Sequence, residues 1–180
     1  CGSIGGGAYV CIGPANPGVD VQQTFNIAGP LNVAMADGFG IDVVGGGNAF
    51  DLGGNPAGTS VMLTDIYGAD ITGGNNGIIV GNGNPASTDI DVNLAGTVTG
   101  VLGGGIISNK FGTGSTTISV TNATGTAQVT GRLTGIFAYS DASTTDMSIT
   151  ANNVTSSDND GISLSMQGTG DVTVNVTNAD

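Results

Sequence analysis

The chain alternates apolar and polar residues in short runs, and the runs recur. LNVAM at 31–35, VMLTD at 61–65, DIDVN at 89–93, TISVT at 117–121, DMSIT at 146–150 and DVTVN at 171–175 form one set. Each has the period of two that marks a strand with one buried side. A second set follows it: ADITG at 69–73, GTVTG at 96–100, AQVTG at 127–131 and NNVTS at 152–156. A third is led by Gly-Ile: GIIVGN from 77, GIISN from 105, GIFAYS from 135 and GISLS from 161. The order never changes, and Gly, Asn, Asp and Thr separate the runs as turn residues do.

The first apolar residues of the leading set are Leu31, Val61, Ile90, Ile118, Met147 and Val172, at intervals of 30, 29, 28, 29 and 25. Three strands in a cycle of about 28 residues predict an all-β, right-handed parallel β-helix, a solenoid in which each strand lies on its counterpart one coil earlier. Equivalent residues then stack about 4.8 Å apart. The expected inner stacks are Ile90 on Ile118 on Met147 with Val172 next, Val98 with Val129 and Val154, and Ile78 with Ile106, Ile136 and Ile162. A meander or sandwich does not predict that every third strand should match in sequence. An interior so narrow is expected to exclude large aromatics.

FNIAG at 25–29 matches FDLGG at 50–54, so five to six coils are expected over residues 25–180, with residues 1–24 as an N-terminal cap. A cap covers the unpaired edge of the first coil. At the other end DVTVNVTNAD starts a new coil, and the chain reads as the first part of a longer protein. An uncovered last coil would leave Val172, Val174 and Val176 without a layer above them. The expected partner is then another copy, in a homo-oligomer or filament that strengthens with salt.

Composition removes several functions. Gly supplies 34 of 180 residues, which raises disorder, but 38% of the chain is hydrophobic and falls in ordered groups. All 14 acidic residues are Asp, and the only cations are Lys110 and Arg132, giving a net charge of −12. Two isolated cations make no basic stripe, so nucleic acid and anionic membrane surfaces are poor partners. No apolar run approaches the roughly 20 residues that span a bilayer, and no signal segment opens the chain, so one is expected to have been removed. An acidic surface keeps a Gly-rich β protein soluble and suits an extracellular setting. Lys110 and Arg132 are expected at the surface beside turns.

Cys1 and Cys11 lie in CGSIGGGAYVC. A disulfide closing this terminal loop is the favoured reading, because it leaves no lone thiol and fits an oxidising compartment. Intact mass would then be two protons light. The competing readings are a lipidated Cys1 and, with only two thiols and no His, a poorly supplied metal site.

Candidate chemistry is sparse. Without His or Glu there is no ordinary proton carrier, and no scheme activates the many Ser and Thr hydroxyls. Asp89 and Asp91 are placed on one outer side at i and i+2, with Asp146 and Asp171 expected at the Asp89 position in later coils. Such a row reads first as solvated surface, then as a weak calcium site, and last as a glycosidase pair. Asp158 and Asp160 in DNDG look like half of a calcium loop without its Glu. GNGNP at 81–85 and GVLGGG at 100–105 open no helix, so they cradle no phosphate. No catalytic residue, cofactor or firm metal ligand is expected. Asn122, Asn153 and Asn175 head N-x-T sequons, which arise easily in an Asn/Thr-rich repeat.

With repeats of the form D-V-T-V, V-T-G, D-G-I and G-T-G in fixed order, residues 19–180 resemble the N-terminal part of passenger domains of bacterial autotransporters. The opening CGSIGGGAYVC also looks like the early cysteine loop of such passengers. The resemblance is one of style and carries no fingerprint. It implies an export signal upstream, more coils and a membrane barrel downstream, and display on the cell surface. Solenoid passengers without an inserted globular domain are mostly adhesive or structural. The expected function is therefore a non-enzymatic extracellular protein: an adhesin, a surface-layer element, or a filament or matrix subunit that meets a carbohydrate or cell-surface ligand. A polysaccharide lyase or hydrolase on the same fold is the alternative.

Overall fold

A computed structural model describes residues 1–52 and 60–179. Residues 53–59 and Asp180 fall within the stretch expected to wind as a solenoid, and they lie outside the described residues together with the last two positions of FDLGG. The described chain contains no helix and forms a β-solenoid of about six coils. Three parallel faces run along it.

The chain enters through a hairpin, β1 (Gly2–Gly5) and β2 (Ala8–Cys11), whose turn carries positive φ at Gly5, Gly6 and Gly7. Cys1 and Cys11 are disulfide-bonded and clasp this hairpin. The first face stacks β2, β4 (Leu31–Met35), β7 (Val61–Asp65), β10 (Ile90–Leu94), β13 (Thr116–Val120), β16 (Met147–Ser156) and β18 (Val172–Ala179). The second stacks β5 (Gly40–Val43), β8 (Asp70–Gly73), β11 (Thr97–Gly100) and β14 (Gln128–Gly131), then the far half of β16. The third stacks β3 (Gln23–Thr24), β6 (Phe50–Leu52), β9 (Ile78–Asn82), β12 (Gly104–Lys110), β15 (Thr134–Ser140) and β17 (Ile162–Met166).

Among the described strands only β1 pairs antiparallel; β2 and β3 already belong to the parallel ladders, pairing with β4 and β6. The solenoid therefore starts inside residues 1–24, and the covering element shrinks to β1 and its clasp. The strands there are short and interrupted by Gly and Pro, which hides their period.

Two of the three expected stacks hold: Val98 pairs with Val129 and Val129 with Val154, and Ile78, Ile106, Ile136 and Ile162 follow one another. The first face differs. Ile90 lies against Thr116, Val92 against Ile118, and Thr116 against Met147. TISVT enters the ladder two residues earlier than its first isoleucine indicates, and a shift of two keeps every side chain on its side of the sheet. The inner row becomes Leu31, Val61, Ile90, Thr116, Met147, Val172. Thr116 is fully buried and its Oγ1 has no hydrogen-bond partner. An unsatisfied buried hydroxyl is a cost that an apolar side chain of similar shape removes. Thr116→Val is expected to raise stability by about 1 kcal/mol in a urea titration. No gain, or a loss, would place this hydroxyl in contact with a polar partner.

The interior does take aromatics at its N-terminal end. Phe50 is fully buried and Phe25 nearly so; Tyr9 and Phe25 meet edge to face at 4.8 Å, and Phe25 and Phe50 stack at 6.4 Å. Further along, the same inward row narrows from Val80 to Ser108 and Ala138 and widens again at Leu164.

Side-chain bonds close the corners and tie coil to coil. Between faces one and two, the buried Asp65 carboxylate accepts from the N–H groups of Tyr67, Gly68 and Ala69. Between faces two and three, Gln22 accepts from the Asn48 N–H, Asn48 from the Asn76 side chain, and Asn76 from the Gly104 N–H. In the sixth coil β16 runs on without a corner and joins the first two faces into one sheet.

Candidate functional site

The densest polar chemistry gathers at the corner loop between β12 and β13, residues 111–115. Its sequence, Phe-Gly-Thr-Gly-Ser, places positive φ at Gly112 and Gly114, where a Cβ would lie 2.9 Å or less from carbonyl oxygens of Asn84, Pro85, Ser87 and Thr88. The loop therefore sits flat on the preceding coil.

Lys110 immediately precedes this loop, and its side chain points into the solenoid. It is fully buried, against the expectation of a surface residue beside a turn. Alternation explains the difference: Lys110 follows Ile106 and Ser108 on the inward parity of β12, and the ladder puts small Ser140 beside it. Its Nζ donates to Ser87 Oγ at 3.2 Å, to the Phe111 carbonyl at 3.5 Å and to the Thr113 carbonyl. Ser87 in turn donates to the Phe111 carbonyl. Three oxygens thus meet the three ammonium protons. Burial lowers the Lys110 pKa from its ordinary value, and the Asp89 and Asp141 carboxylates oppose that shift.

The two carboxylates hold the loop from outside. The Gly112 N–H donates to Asp141 at 3.3 Å, and Asp89 accepts from both the Ser115 N–H at 2.9 Å and the Ser115 hydroxyl at 3.2 Å. The loop is clamped between one buried cation and two surface anions.

Asp89 and Asp91 lie on the first face, as expected, in a shallow groove of about 290 Å³ with Met62, Ser115 and Thr117. Asp146 and Asp171 take the Asp89 position in later coils, as expected, with Ser115 interrupting the column. The two-residue shift places Ser115 between Asp89 and Asp146, while Asp91 has Met62 and Thr117 as its neighbours in the ladder. Asp146 accepts from the Asp171 N–H, repeating the bond of Asp89 to Ser115. Partial burial raises the Asp91 pKa above 3.8, and the Asp89 charge adds to it.

The sign of the consequence is fixed. A carboxyl whose folded pKa is raised holds its proton longer in the folded state, so stability falls as pH climbs from the unfolded value through the folded one. Asp91→Asn is expected to raise stability at pH 7 by less than about 1 kcal/mol, because solvent screens a half-buried group. The gain should vanish below pH 3.8, where wild type is protonated in both states. Thermal melts of both proteins between pH 3 and 8 measure it.

Asp158 forms a salt bridge with Arg132 at 2.9 Å, and the Asp158 N–H donates to the Arg132 carbonyl. Arg132 is exposed, as expected, and Asp160 lies in the same turn, where its backbone carbonyl accepts from Thr134. This pair and the Asp89–Asp91 pair belong to different corners of the solenoid. Among the described residues no three His, Cys, Asp or Glu side chains form a group able to hold a metal ion.

The sequons differ in what their amides do. Asn122 Nδ2 donates to the Ala95 carbonyl and Thr126, and Asn153 Nδ2 to the carbonyls of Gly125 and Ala127. Asn175 is exposed on β18. On that strand Val172 and Val174 are half exposed and Val176 is partly buried.

Comparison with protein-family models, curated proteins and solved structures finds no match. The site is therefore read from its own geometry. Sequence reasoning passed over Lys110, Asp65 and Asp141. The parity of Lys110 with Ile106 and Ser108 was the available signal; Asp141 carries none, because its partner is a backbone N–H one coil away.

Proposed function

We propose that the chain is part of a non-enzymatic extracellular protein, an adhesin, surface-layer element or filament subunit, that works through the repetitive exterior of its solenoid. One observation carries this reading. The contacting polar side chains spend their bonds on the scaffold: Asp89, Asp141, Asp146, the Arg132–Asp158 pair and Lys110 through Ser87 hold one coil to the next, and Asp65 closes its own corner. What remains outside is a patterned surface, such as the outward row Thr72, Thr99, Thr130 and Thr155 on the second face. The resemblance to autotransporter passengers supports the same placement, at the bacterial surface. Labelling intact cells with an antibody to this segment tests it, and signal only after lysis would overturn it.

The second reading is a carbohydrate-active enzyme, favoured by the groove at Asp89 and Asp91. Burial raises the pKa of Asp91, and a second carboxyl shares its groove, which is what a general acid and its partner need. Incubation with neutral and acidic polysaccharides decides between them. Turnover that Asp89→Asn or Asp91→Asn abolishes would establish the enzyme; none is expected.

A further inference from the structure

The third face differs from the other two on its outer side. Ile79, Ile107 and Phe137 occupy one outward row, each in register with the next. Phe111, 38% exposed, packs at 5.6 Å on Tyr139 at the far end of the same strands. At the near end Leu102 and Leu133 stand about half exposed. The band thus crosses the whole width of β12 and β15.

Charge singles out the same surface. Among the described strands of this face the only charged residues are Asp51 and the buried Lys110. Faces one and two present Asp91, Asp42 and Asp70 on their strands. Two chains of charge −12 repel, and they do so least across the face whose strands carry the least of it, with Asp141 and Asp160 only at its two ends.

We propose that the outer side of the third face is where a second copy of this chain docks, which rests on the reading that the protein works through its exterior. A two-fold axis parallel to the solenoid brings the Leu133 end of each strand over the Phe111 end of its partner, so one patch serves both copies. A shallow groove of about 360 Å³ lies at the end that receives Phe111, lined by Leu133, Thr134 and Phe137 with Asn159, Asp160 and Ser163 at its rim, so one carboxylate borders the contact. Size sets the strength. Six strands of two to seven residues, stacked about 4.8 Å apart, give a face of roughly 450 Å². That is below the roughly 800 Å² per partner of a standard interface, so the contact is weak and concentration-dependent.

Sedimentation equilibrium of the chain from micromolar to millimolar, at low and high salt, tests the contact. The double variant Phe137→Ser/Tyr139→Ser carries the residues that Ser163 and Ser165 supply at the same positions one coil later, so the ladder already accepts them. Circular dichroism verifies its fold. Wild type is expected to gain mass with concentration and salt, and the double variant to remain a monomer. Val174→Asp, on the last strand, should associate like wild type. A wild type that stays monomeric throughout, association that survives the double substitution, or loss of association in Val174→Asp would each overturn the proposal. Retention of a monomeric wild type on an immobilised neutral polysaccharide, lost in the double variant, would give the face to a glycan instead. Surface labelling of cells reads independently of all of these, so either idea can fail alone.

Discussion

Lys110→Ala is expected to cost about 3–4 kcal/mol, the range found when a long buried side chain is truncated and the cavity persists. The residue contributes in two separable ways. Its stem fills the space that Ser140 and the small inward residues Ser108 and Ala138 leave in the fourth and fifth coils. Its ammonium ties the Thr113 carbonyl and Ser87 to the end of β12 and so fixes the corner loop. Lys110→Met keeps the stem and removes the charge. It leaves the Thr113 carbonyl without this donor, at about 1–3 kcal/mol, but also removes the expense of a buried cation, so its net effect should be under about 2 kcal/mol.

The pH dependence separates the head from the stem. Burial lowers the Lys110 pKa in the folded protein, while the unfolded chain titrates at the ordinary 10.5. Between the two values the unfolded chain carries a proton that the folded one lacks, so stability rises with pH. Wild type should therefore gain on Lys110→Met as pH climbs toward 10.5. A difference that shrinks instead would mean that Asp89 and Asp141 outweigh burial and hold the charge in place. Denaturant titrations of both proteins from pH 7 to 10.5 measure the slope.

How far such a site can be read from sequence depends on the range of the forces that build it. The three strands per cycle were legible because stacked coils force equivalent residues to face one another, and that constraint writes itself as a repeat. The Val98 and Ile78 stacks follow from it directly. The register of β13 was not legible. A two-residue shift preserves inward and outward parity, so TISVT fits the core with Thr116 or Ile118 leading, and the choice is made by the lengths of the corners on either side. The aromatic cluster of Tyr9, Phe25 and Phe50 escaped because an average interior width was assumed for every coil. The disulfide of Cys1 and Cys11 was readable from spacing and count alone.

The site was less legible than the fold. Asp89 and Asp91 were found because their alternation sits within one strand, and both do lie on the outer side. Asp146 and Asp171 do follow at the Asp89 position, and the register of β13 decides only that Ser115, not Thr117, stands between them and Asp89. Lys110 was misjudged from composition: a lone lysine beside a glycine loop suggests solvent, whereas two carbonyls of the following turn and Ser87 of the preceding coil make the interior tolerable. No linear pattern records a hydrogen bond to a backbone carbonyl.

Gly131→Ala is the second large effect, at about 3 kcal/mol of destabilisation, near the top of what overpacking costs. Gly73, Gly100 and Gly131 stack at the end of the second face, where the chain turns sharply into the third. A Cβ on Gly131 would lie 1.8 Å from the Thr134 carbonyl oxygen and 2.7 Å from the Gly105 nitrogen. Gly73 and Gly100 meet the same obstacle, at 1.8 Å from Asn76 O and 1.9 Å from Gly104 O. Every one of these neighbours is backbone, so no side chain can swing aside and the turn itself must open. The sixth coil shows the alternative. Ser156 takes the position after Gly131, and there a longer turn through Asp158 and Asn159 leaves room for its side chain, whose hydroxyl donates to the Arg132 carbonyl. Gly125→Ala is the comparison: it has φ of +72° but nothing within 4 Å of its Cβ, so only the left-handed backbone resists, at about 1–2 kcal/mol. Because a solenoid unfolds by neighbouring units, the Gly131→Ala damage should centre on the fourth and fifth coils. Hydrogen exchange should show lost protection in β11, β12, β14 and β15, with β4 and β7 unchanged. A cost no greater than that of Gly125→Ala would mean that the turn yields, and that close backbone approach does not explain why three successive coils carry glycine there.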